Sequence, residues 1–154
     1  MHPKFVIISA VARNGVIGYK GGIPWHIPQD FKHFKSLTMG KTIVMGKKTF
    51  ESLPGLLPDR KHVVISSTLL PIPQVDIYSS IDAFLLSARS EYWIIGGQGI
   101  YQAFMPLAER MHITHVHRQV EGDTYFPTIG REWLCTEQEN FEEYSFCTYI
   151  KIKS

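Results

Sequence analysis

Residues 42–53 read Thr-Ile-Val-Met-Gly-Lys-Lys-Thr-Phe-Glu-Ser-Leu, a short apolar run that is followed at once by a segment of helical spacing. Three similar apolar runs lie elsewhere in the chain, at 5–11, 62–66 and 92–96. Helical spacing recurs in three further segments, at 28–37, 80–88 and 99–107. Runs that are apolar on both faces are typical of parallel strands covered by helices. Strands that alternate with helices therefore predict an α/β fold.

The last third of the chain has a different pattern. Three segments indicate extended structure, at 110–118, 133–141 and 144–152. Only Glu142 and Glu143 separate the last two, which predicts a β-hairpin. We therefore expect a mixed, mostly parallel central sheet of about eight strands with an antiparallel C-terminal hairpin, flanked by about four helices.

Composition excludes several classes of protein. The chain has 154 residues, of which 44% are hydrophobic and 19% are charged, as in an ordinary globular domain. The net charge is +2 and no basic stripe occurs, so we expect no nucleic-acid surface. The apolar stretch at 5–12 is too short to cross a membrane and no cleavage site follows it. The two cysteines, Cys135 and Cys147, favour a reduced, cytoplasmic protein over a disulfide scaffold.

An acid lies on the apolar face of the first predicted helix. Ile27, Phe31, Phe34 and Leu37 form a stripe at helical spacing, and Asp30 falls on it. One interpretation places the carboxyl in a cleft, where burial raises its pKa and suits it to proton chemistry. The other places it at the third helical position, where it satisfies the helix start. Spacing alone leaves both open.

Two further segments are candidates for binding an anion. Gly46-Lys47-Lys48-Thr49 ends a strand and begins a helix, where backbone N–H groups and both lysines could hold a phosphate. The hydroxyls of Ser66-Ser67-Thr68 follow the next strand, at the end where ligands bind in open α/β sheets. The alternative is a pair of solvated lysines.

A glycine-rich turn, Gly96-Gly97-Gln98-Gly99, connects a predicted strand to a predicted helix. Such a turn lets the backbone approach a phosphate closely, although its spacing is neither that of the Rossmann fingerprint nor that of the P-loop. The alternative is an ordinary tight turn. His115 and His117 share one strand face, but no third ligand is evident and we expect no metal site.

Taken together, these segments resemble the bacterial dihydrofolate reductase family over nearly the whole chain. Val16-Ile17-Gly18 and Ile23-Pro24-Trp25 are similar to its mobile active-site loop. Asp30, five residues after the Trp, matches its single acid in the pteridine site. Further matching segments lie at 44–52, 58–61, 95–101 and 121–127.

The resemblance implies reduction of 7,8-dihydrofolate to tetrahydrofolate, by hydride transfer from NADPH to C6 and protonation of N5. It implies that Asp30 is the catalytic residue, which binds the pterin amino group and a ring nitrogen with support from Thr114. It implies that Arg60 pairs with the α-carboxylate of the substrate. The implied substrate site, which antifolate-type inhibitors would share, consists of Ile8, Ala10, Asp30, Phe31, Phe34, Leu53, Arg60 and Thr114.

The same resemblance implies an NADPH site, with a cis peptide at Gly96-Gly97 and with Lys47, Lys48 and Ser67 at the adenosine 2′-phosphate. The implied cofactor residues are Ala10, Ile17, Gly18, Gly46, Lys47, Lys48, Thr49, Ser66, Ser67, Ile95, Gly96, Gly97, Gln98, Gly99, Ile100, Tyr101 and Thr124. Residues 1–154 would then form one domain, with an adenosine-binding subdomain at about 41–90. We expect a monomer.

The sequence departs from the family pattern at several positions. Lys47 replaces a common Arg, Gly99 replaces a second Arg, and His33 replaces a large aromatic residue. Two other functions stay open. A reductase of a related pterin or ribityl pyrimidine would not need Arg60, and a non-catalytic dinucleotide-binding module would not need Asp30.

Overall fold

Strands that are apolar on both faces form the centre of the molecule. The structure, a computed structural model, describes residues 2–152. Its strands are β1 (Lys4–Ala12), β2 (Val16–Gly18), β3 (Thr42–Gly46), β4 (Lys61–Ile65), β5 (Val75–Tyr78), β6 (Glu91–Gly96), β7 (Arg110–Val116), β8 (Thr124–Tyr125), β9 (Trp133–Asn140) and β10 (Tyr144–Lys151). Its helices are α1 (Pro28–Thr38), α2 (Lys47–Ser52), α3 (Ile81–Ser87) and α4 (Gln98–Phe104).

Eight strands pair in the order β5-β4-β3-β6-β1-β7-β10-β9. All neighbours from β5 to β7 are parallel, and β10 is antiparallel to both β7 and β9. The expected mixed sheet with an antiparallel C-terminal hairpin is confirmed. The structure adds a small second sheet, in which β2 pairs with β8.

Each face of the large sheet packs against different helices. On one face, Ile43 belongs to a core cluster against which Phe34 of α1 packs. On the other face, Val44 shares a cluster with Phe84 of α3 and Phe104 of α4. Each such side chain contributes about 1.5–3 kcal/mol when it is fully buried. This burial accounts for strands whose consecutive residues are all apolar.

The C-terminal hairpin turns at residues 142–143, and the Phe141 N–H donates to the Tyr144 carbonyl at 2.8 Å. β9 is the outer strand and is exposed along most of its length. Both cysteines lie in this hairpin and are unpaired, Cys135 being exposed and Cys147 buried. Over residues 2–152, no helix has the length and apolar character needed to cross a bilayer.

The parallel strands bring several turns to one edge of the sheet. Gly46 at the end of β3 lies opposite Ile65 at the end of β4. Met45, its neighbour, lies opposite Gly96 at the end of β6. The lysine pair, the serine-rich turn and the glycine-rich turn therefore all start from adjacent strand ends.

Candidate active site

Asp30 faces the sheet and not the start of its own helix. α1 begins after Ile27, and no side chain caps its first turn. The Thr114 hydroxyl, on β7, donates to Asp30 Oδ1 at 2.6 Å. Of the two interpretations of this acid, the structure supports the one that places it in a cleft.

The surroundings of Asp30 shift its ionisation. Burial raises the pKa of the carboxyl above its usual value, and this is the largest effect. The hydrogen bond from Thr114 and the charge of His33 both act to lower that pKa, in that order. Burial therefore favours the neutral form of the carboxyl, whereas Thr114 and His33 favour its anion.

Apolar side chains of β1, of α1 and of the residue that follows α2 share one core cluster on the face of the sheet that α1 covers. Ile8 is buried, and half-buried Phe34 and Leu53 pack against the same core cluster. Ala10 lies directly opposite Thr114 in the register of β1 and β7. A flat ring could lie in this cleft, between α1 and the carboxyl half of β1.

Phe31 is a correction to the expected buried stripe, because its side chain is 51% exposed. α1 packs through Phe34 and Leu37, and Ile27 immediately before it is also buried in a core cluster. Phe31 lies at the rim of the cleft, where its ring contacts that of His26 with a centroid separation of 5.8 Å. It could cover a ligand from the solvent side.

Arg60 is held at the far end of the same helix. Its Nε donates to the Pro58 carbonyl at 3.0 Å, and its Nη1 donates to the Thr38 hydroxyl at 3.1 Å. Thr38 is fully buried and donates in turn to the Phe34 carbonyl. Because a guanidinium carries five N–H donors, these bonds orient the group and leave further donors for a carboxylate.

The glycine-rich turn has the backbone that the family resemblance implies. The Gly96-Gly97 peptide is cis, and Gly96 has φ +121°. A Cβ at Gly96 would come within 3.2 Å of the Tyr101 ring, so a side chain would be both strained and crowded. The Tyr101 hydroxyl donates to the Ile8 carbonyl at 2.7 Å. Tyr101 thus packs against the turn and, through this hydrogen bond, connects it to β1.

The lysine pair lies next to the turn that follows β4. Lys47 Nζ donates to the Thr68 hydroxyl at 3.1 Å. Ser66 Oγ accepts from the backbone N–H groups of Thr68 and Leu69, so this hydroxyl stabilises its own turn. Thr68 belongs to the hydroxyl segment that the sequence indicates as an anion site, although it is not among the cofactor residues that the resemblance implies. It lies between Lys47 and Ser66.

The second sheet forms the wall near the glycine-rich turn. Gly18, next to Ile17 on β2, pairs with Thr124 on β8, and a Cβ at Gly18 would come within 2.5 Å of the Thr124 hydroxyl oxygen. Gln98 Oε1, at the start of α4, accepts from the Tyr125 N–H at 2.8 Å. This bond ties the small sheet to the turn that would hold a phosphate.

The other residues that the family resemblance assigns to the site differ in exposure and in the space around them. Trp25 is buried, whereas Ile23, in the loop before α1, is 55% exposed. Ile100 would be contacted by a Cβ at Gly46, and Thr49 by one at Gly97, but the space beside Gly99 is open. Among residues 2–152, no three His, Cys, Asp or Glu side chains are grouped as a metal site.

Comparisons with known proteins agree with this geometry. The family model for dihydrofolate reductase matches residues 4–151. The chain is 43% identical over 159 residues to the dihydrofolate reductase of Neisseria meningitidis serogroup B, covering 96% of this chain and 98% of the relative. It is 34% identical over 160 residues to that of Bacillus subtilis, covering 96% and 94%. The dihydrofolate reductase of Enterococcus faecalis, solved in complex with NADP(H) and RAB-propyl, superimposes with a TM-score of 0.84 at 29% identity, covering 96% of each chain.

Proposed function

This chain belongs to the dihydrofolate reductase family, and from that premise we propose how its own residues reduce 7,8-dihydrofolate to 5,6,7,8-tetrahydrofolate with NADPH. The observation that carries the proposal is a carboxylate, Asp30, held by Thr114 in an apolar cleft beside a glycine-rich turn. When bound, NADPH supplies a hydride from nicotinamide C4 to C6 of the substrate.

Asp30 binds and orients the pterin. A carboxylate presents two acceptor oxygens to the two donors of the pterin edge, the exocyclic amino group and a ring N–H. Thr114 fixes one of these oxygens from behind, so the acid keeps its direction. Because Asp30 lies at the opposite edge of the ring from N5, a water delivers the N5 proton while the carboxylate adjusts the electronics of the ring.

Arg60 selects a folate over a substrate without a glutamate tail. Its remaining N–H donors form a bidentate pair with the α-carboxylate, since Pro58 and Thr38 already hold the guanidinium in place. A ribityl pyrimidine offers no such carboxylate. The supported orientation of Arg60 therefore favours dihydrofolate over that alternative.

The residues around the glycine-rich turn fit NADPH. A Cβ at Gly96 would crowd the Tyr101 ring and so displace the turn on which the pyrophosphate would lie. Lys47 contacts the serine-rich turn and Lys48 follows it at the start of α2, and both cations bind the 2′-phosphate of the adenosine. Residues 41–90 would then form the adenosine-binding part of a single domain.

The test is a spectrophotometric assay of NADPH oxidation with dihydrofolate as substrate, in wild type and in Arg60→Gln. We expect turnover by the wild type, and a KM for dihydrofolate raised about 10-fold or more in the variant, since one charge-assisted pair is lost. With 7,8-dihydropterin, which lacks the tail, the two proteins should be equal. Arg89→Gln, at an arginine that bonds only the Ala88 carbonyl through its side chain, is the matched control.

The assay separates the alternatives. A non-catalytic dinucleotide-binding module would bind NADPH without oxidising it. Equal losses with both substrates in Arg60→Gln would contradict the role of Arg60 in binding the tail.

A cytoplasmic location is part of the same proposal. It is supported by two cysteines, Cys135 and Cys147, that remain unpaired although both lie in the hairpin of β9 and β10. Fractionation of cells, followed by the NADPH assay on each fraction, checks the location.

A further inference from the structure

The two cysteines of the chain lie in neighbouring strands of the C-terminal hairpin. Cys135 is on β9, the outer strand, and Cys147 is on β10 beside it. Cys147 lies opposite Ile113 on β7, and Ile113 belongs to the core cluster of the sheet face that α3 and α4 cover. The cysteine pair therefore lies on the opposite face of the sheet from α1 and Asp30.

A β-bulge brings both thiols to the same face of the hairpin. Cys147 pairs with Gln138 and Tyr149 pairs with Cys135, with a shift of register between these two pairs. Because Cys135 and Gln138 are three residues apart, they would lie on opposite faces of a regular strand. The extra residue in the register, Thr136, restores the alternation. Cys135 therefore shares a face with Gln138 and with Cys147.

The Cys135 side chain extends towards Cys147. Its Sγ lies 4.0 Å from Oε1 of Gln138, the residue directly opposite Cys147. Burial, followed by the neighbouring Cys135 thiol, raises the pKa of Cys147 to about 11. Burial and then both thiols raise the pKa of Tyr149, which lies opposite Cys135, to about 12. The two thiols and the phenol therefore form one cluster.

The separation of the two cysteines is close to what a disulfide requires. Diagonal residues of an antiparallel pair have Cα atoms about 7–8 Å apart, and a disulfide spans about 4.4–6.8 Å. A movement of roughly 1 Å therefore brings the sulfurs within bonding distance. β9 can make that movement, because it is the outer strand and the bulge already interrupts its pairing.

The two thiols differ in their access to solvent. Cys135 is exposed, whereas Cys147 is 5% exposed. A small oxidant in solution therefore meets Cys135 first. Cys147 is placed to react with the oxidised product, since it lies inside the hairpin on the same face.

We propose that Cys135 and Cys147 form a redox modification site, at which a peroxide converts the two thiols into a reversible disulfide that links β9 to β10. The site is separate from the proposed function, because both thiols lie away from α1. Such reversible disulfides are the usual kind in proteins that are otherwise kept reduced.

The reaction has two steps. The Cys135 sulfur attacks one oxygen of hydrogen peroxide, the O–O bond breaks, and the departing hydroxide takes up the thiol proton as water. The Cys147 sulfur then attacks the sulfur of the Cys135 sulfenic acid, and the S–O bond breaks. The hydroxyl leaves with the Cys147 proton as a second water. The two sulfurs together lose two electrons, which reduce the peroxide.

The experiment treats the purified full-length protein with hydrogen peroxide and follows free thiols and intact mass. The wild type should lose both thiols together and have a mass lower by two hydrogen atoms. It should show no dimer on a non-reducing gel, and dithiothreitol should restore both thiols. In Cys147→Ala, Cys135 should go on to sulfinic acid or link two chains. In Cys135→Ser, at an exposed position, buried Cys147 should stay reduced over the same time.

Stability gives a second readout. The disulfide closes a loop of about a dozen residues and restricts the unfolded chain, so the melting temperature of the oxidised wild type should rise by roughly 5 °C. Peroxide should not raise that of Cys135→Ser. A lower melting temperature of the cross-linked protein would contradict a link that the hairpin accommodates.

Other outcomes overturn the site itself. These are survival of both thiols under peroxide, addition of oxygen atoms to Cys135 while Cys147 stays free, and a disulfide that forms only between two chains. None of these measurements needs turnover, so they are decided separately from the reduction of dihydrofolate.

Discussion

The proposed role of Asp30 in binding the substrate comes at the expense of stability. Because burial raises its pKa, the folded protein holds the carboxyl proton more tightly than the unfolded chain does. Ionisation of Asp30 therefore opposes folding above the folded-state pKa. This opposition fades as pH falls through that pKa, and it is absent below the pKa of the unfolded chain.

Asp30→Asn should separate these two effects. The amide cannot accept from both pterin donors as a charged group, so we expect kcat/KM for dihydrofolate to fall about 10- to 100-fold. The melting temperature at pH 7 should rise, because the amide carries no charge to desolvate, and the difference should shrink towards pH 4. Steady-state kinetics and thermal melts over this range measure both.

Asp76→Asn, an exposed acid on β5, is the control and should change neither quantity. A lower melting temperature for Asp30→Asn at pH 7 would show that the carboxylate stabilises the fold, contrary to this account.

Thr114→Val tests the support of the acid. The substitution keeps the shape of a buried side chain but removes the hydroxyl that donates to Asp30 at 2.6 Å. The pKa of Asp30 should then rise further, and the KM for dihydrofolate should increase by about 10-fold, as for loss of a hydrogen bond to a charged group.

Thr114→Ser keeps a hydroxyl and serves as the matched variant. If Thr114→Ser, which keeps the hydroxyl, reduces substrate binding as much as Thr114→Val, loss of the hydrogen bond to Asp30 does not by itself explain the effect.

At the level of single residues, the sequence could locate Asp30 but could not assign its partner. The choice between a helix cap and a cleft depends on Thr114, which is 84 positions further along the chain. Local spacing carries no information on that contact. The family resemblance supplied it, and the geometry agrees.

At the level of elements, the sequence predicted the strands whose buried residues form a continuous apolar run. β3 is buried along its centre and β6 over much of its length, and both appear as continuous apolar runs. β5 (Val75–Tyr78) is an edge strand with no fully buried residue, so its residues show no such run. β2 and β8 are two or three residues long and exist because they pair with each other.

The small sheet of β2 and β8 gives an element-scale prediction. A Cβ at Gly122 would lie 2.2 Å from Val16 Cγ1 and 2.8 Å from the Gly18 carbonyl oxygen, so Gly122→Ala must displace this sheet. β2 carries Ile17 and Gly18, which form the proposed cofactor wall. We expect kcat to fall by about 10-fold or more, because a small misplacement of the reacting rings is costly.

Gly55→Ala is the control, since nothing lies within 4 Å of a Cβ at that position. Pre-steady-state measurement of NADPH oxidation isolates the hydride step. An unchanged rate of that step in Gly122→Ala would mean that the small sheet does not position the cofactor.

At the scale of the whole molecule, the proposed NADPH site draws on turns that follow β3, β4 and β6, three neighbours in the sheet. A ligand that contacts all of these elements binds only the folded chain, so it shifts the global unfolding equilibrium. The size of that shift reports affinity without any turnover. It can therefore compare NADPH with NADH, which differ only in the 2′-phosphate.

We expect NADPH at 100 times its Kd to stabilise the protein by about 2.7 kcal/mol, a rise of roughly 5–10 °C in melting temperature for a chain of this size. At the same concentration NADH should give a smaller rise. Since the proposed site provides charge at the 2′-phosphate through Lys47 and Lys48, the difference between the cofactors should decrease as salt increases.

The double variant Lys47→Ala/Lys48→Ala decides whether these two cations carry the preference. Removing them should bring the NADPH shift close to the NADH shift and leave the NADH shift nearly unchanged, because NADH lacks the 2′-phosphate that the lysines are proposed to bind. Lys4→Ala/Lys61→Ala removes the same net charge from exposed positions and should keep the difference between cofactors. If the Lys47/Lys48 variant retains that difference at low salt, the preference must come from the hydroxyls of Ser66, Ser67 and Thr68, which follow the neighbouring strand β4.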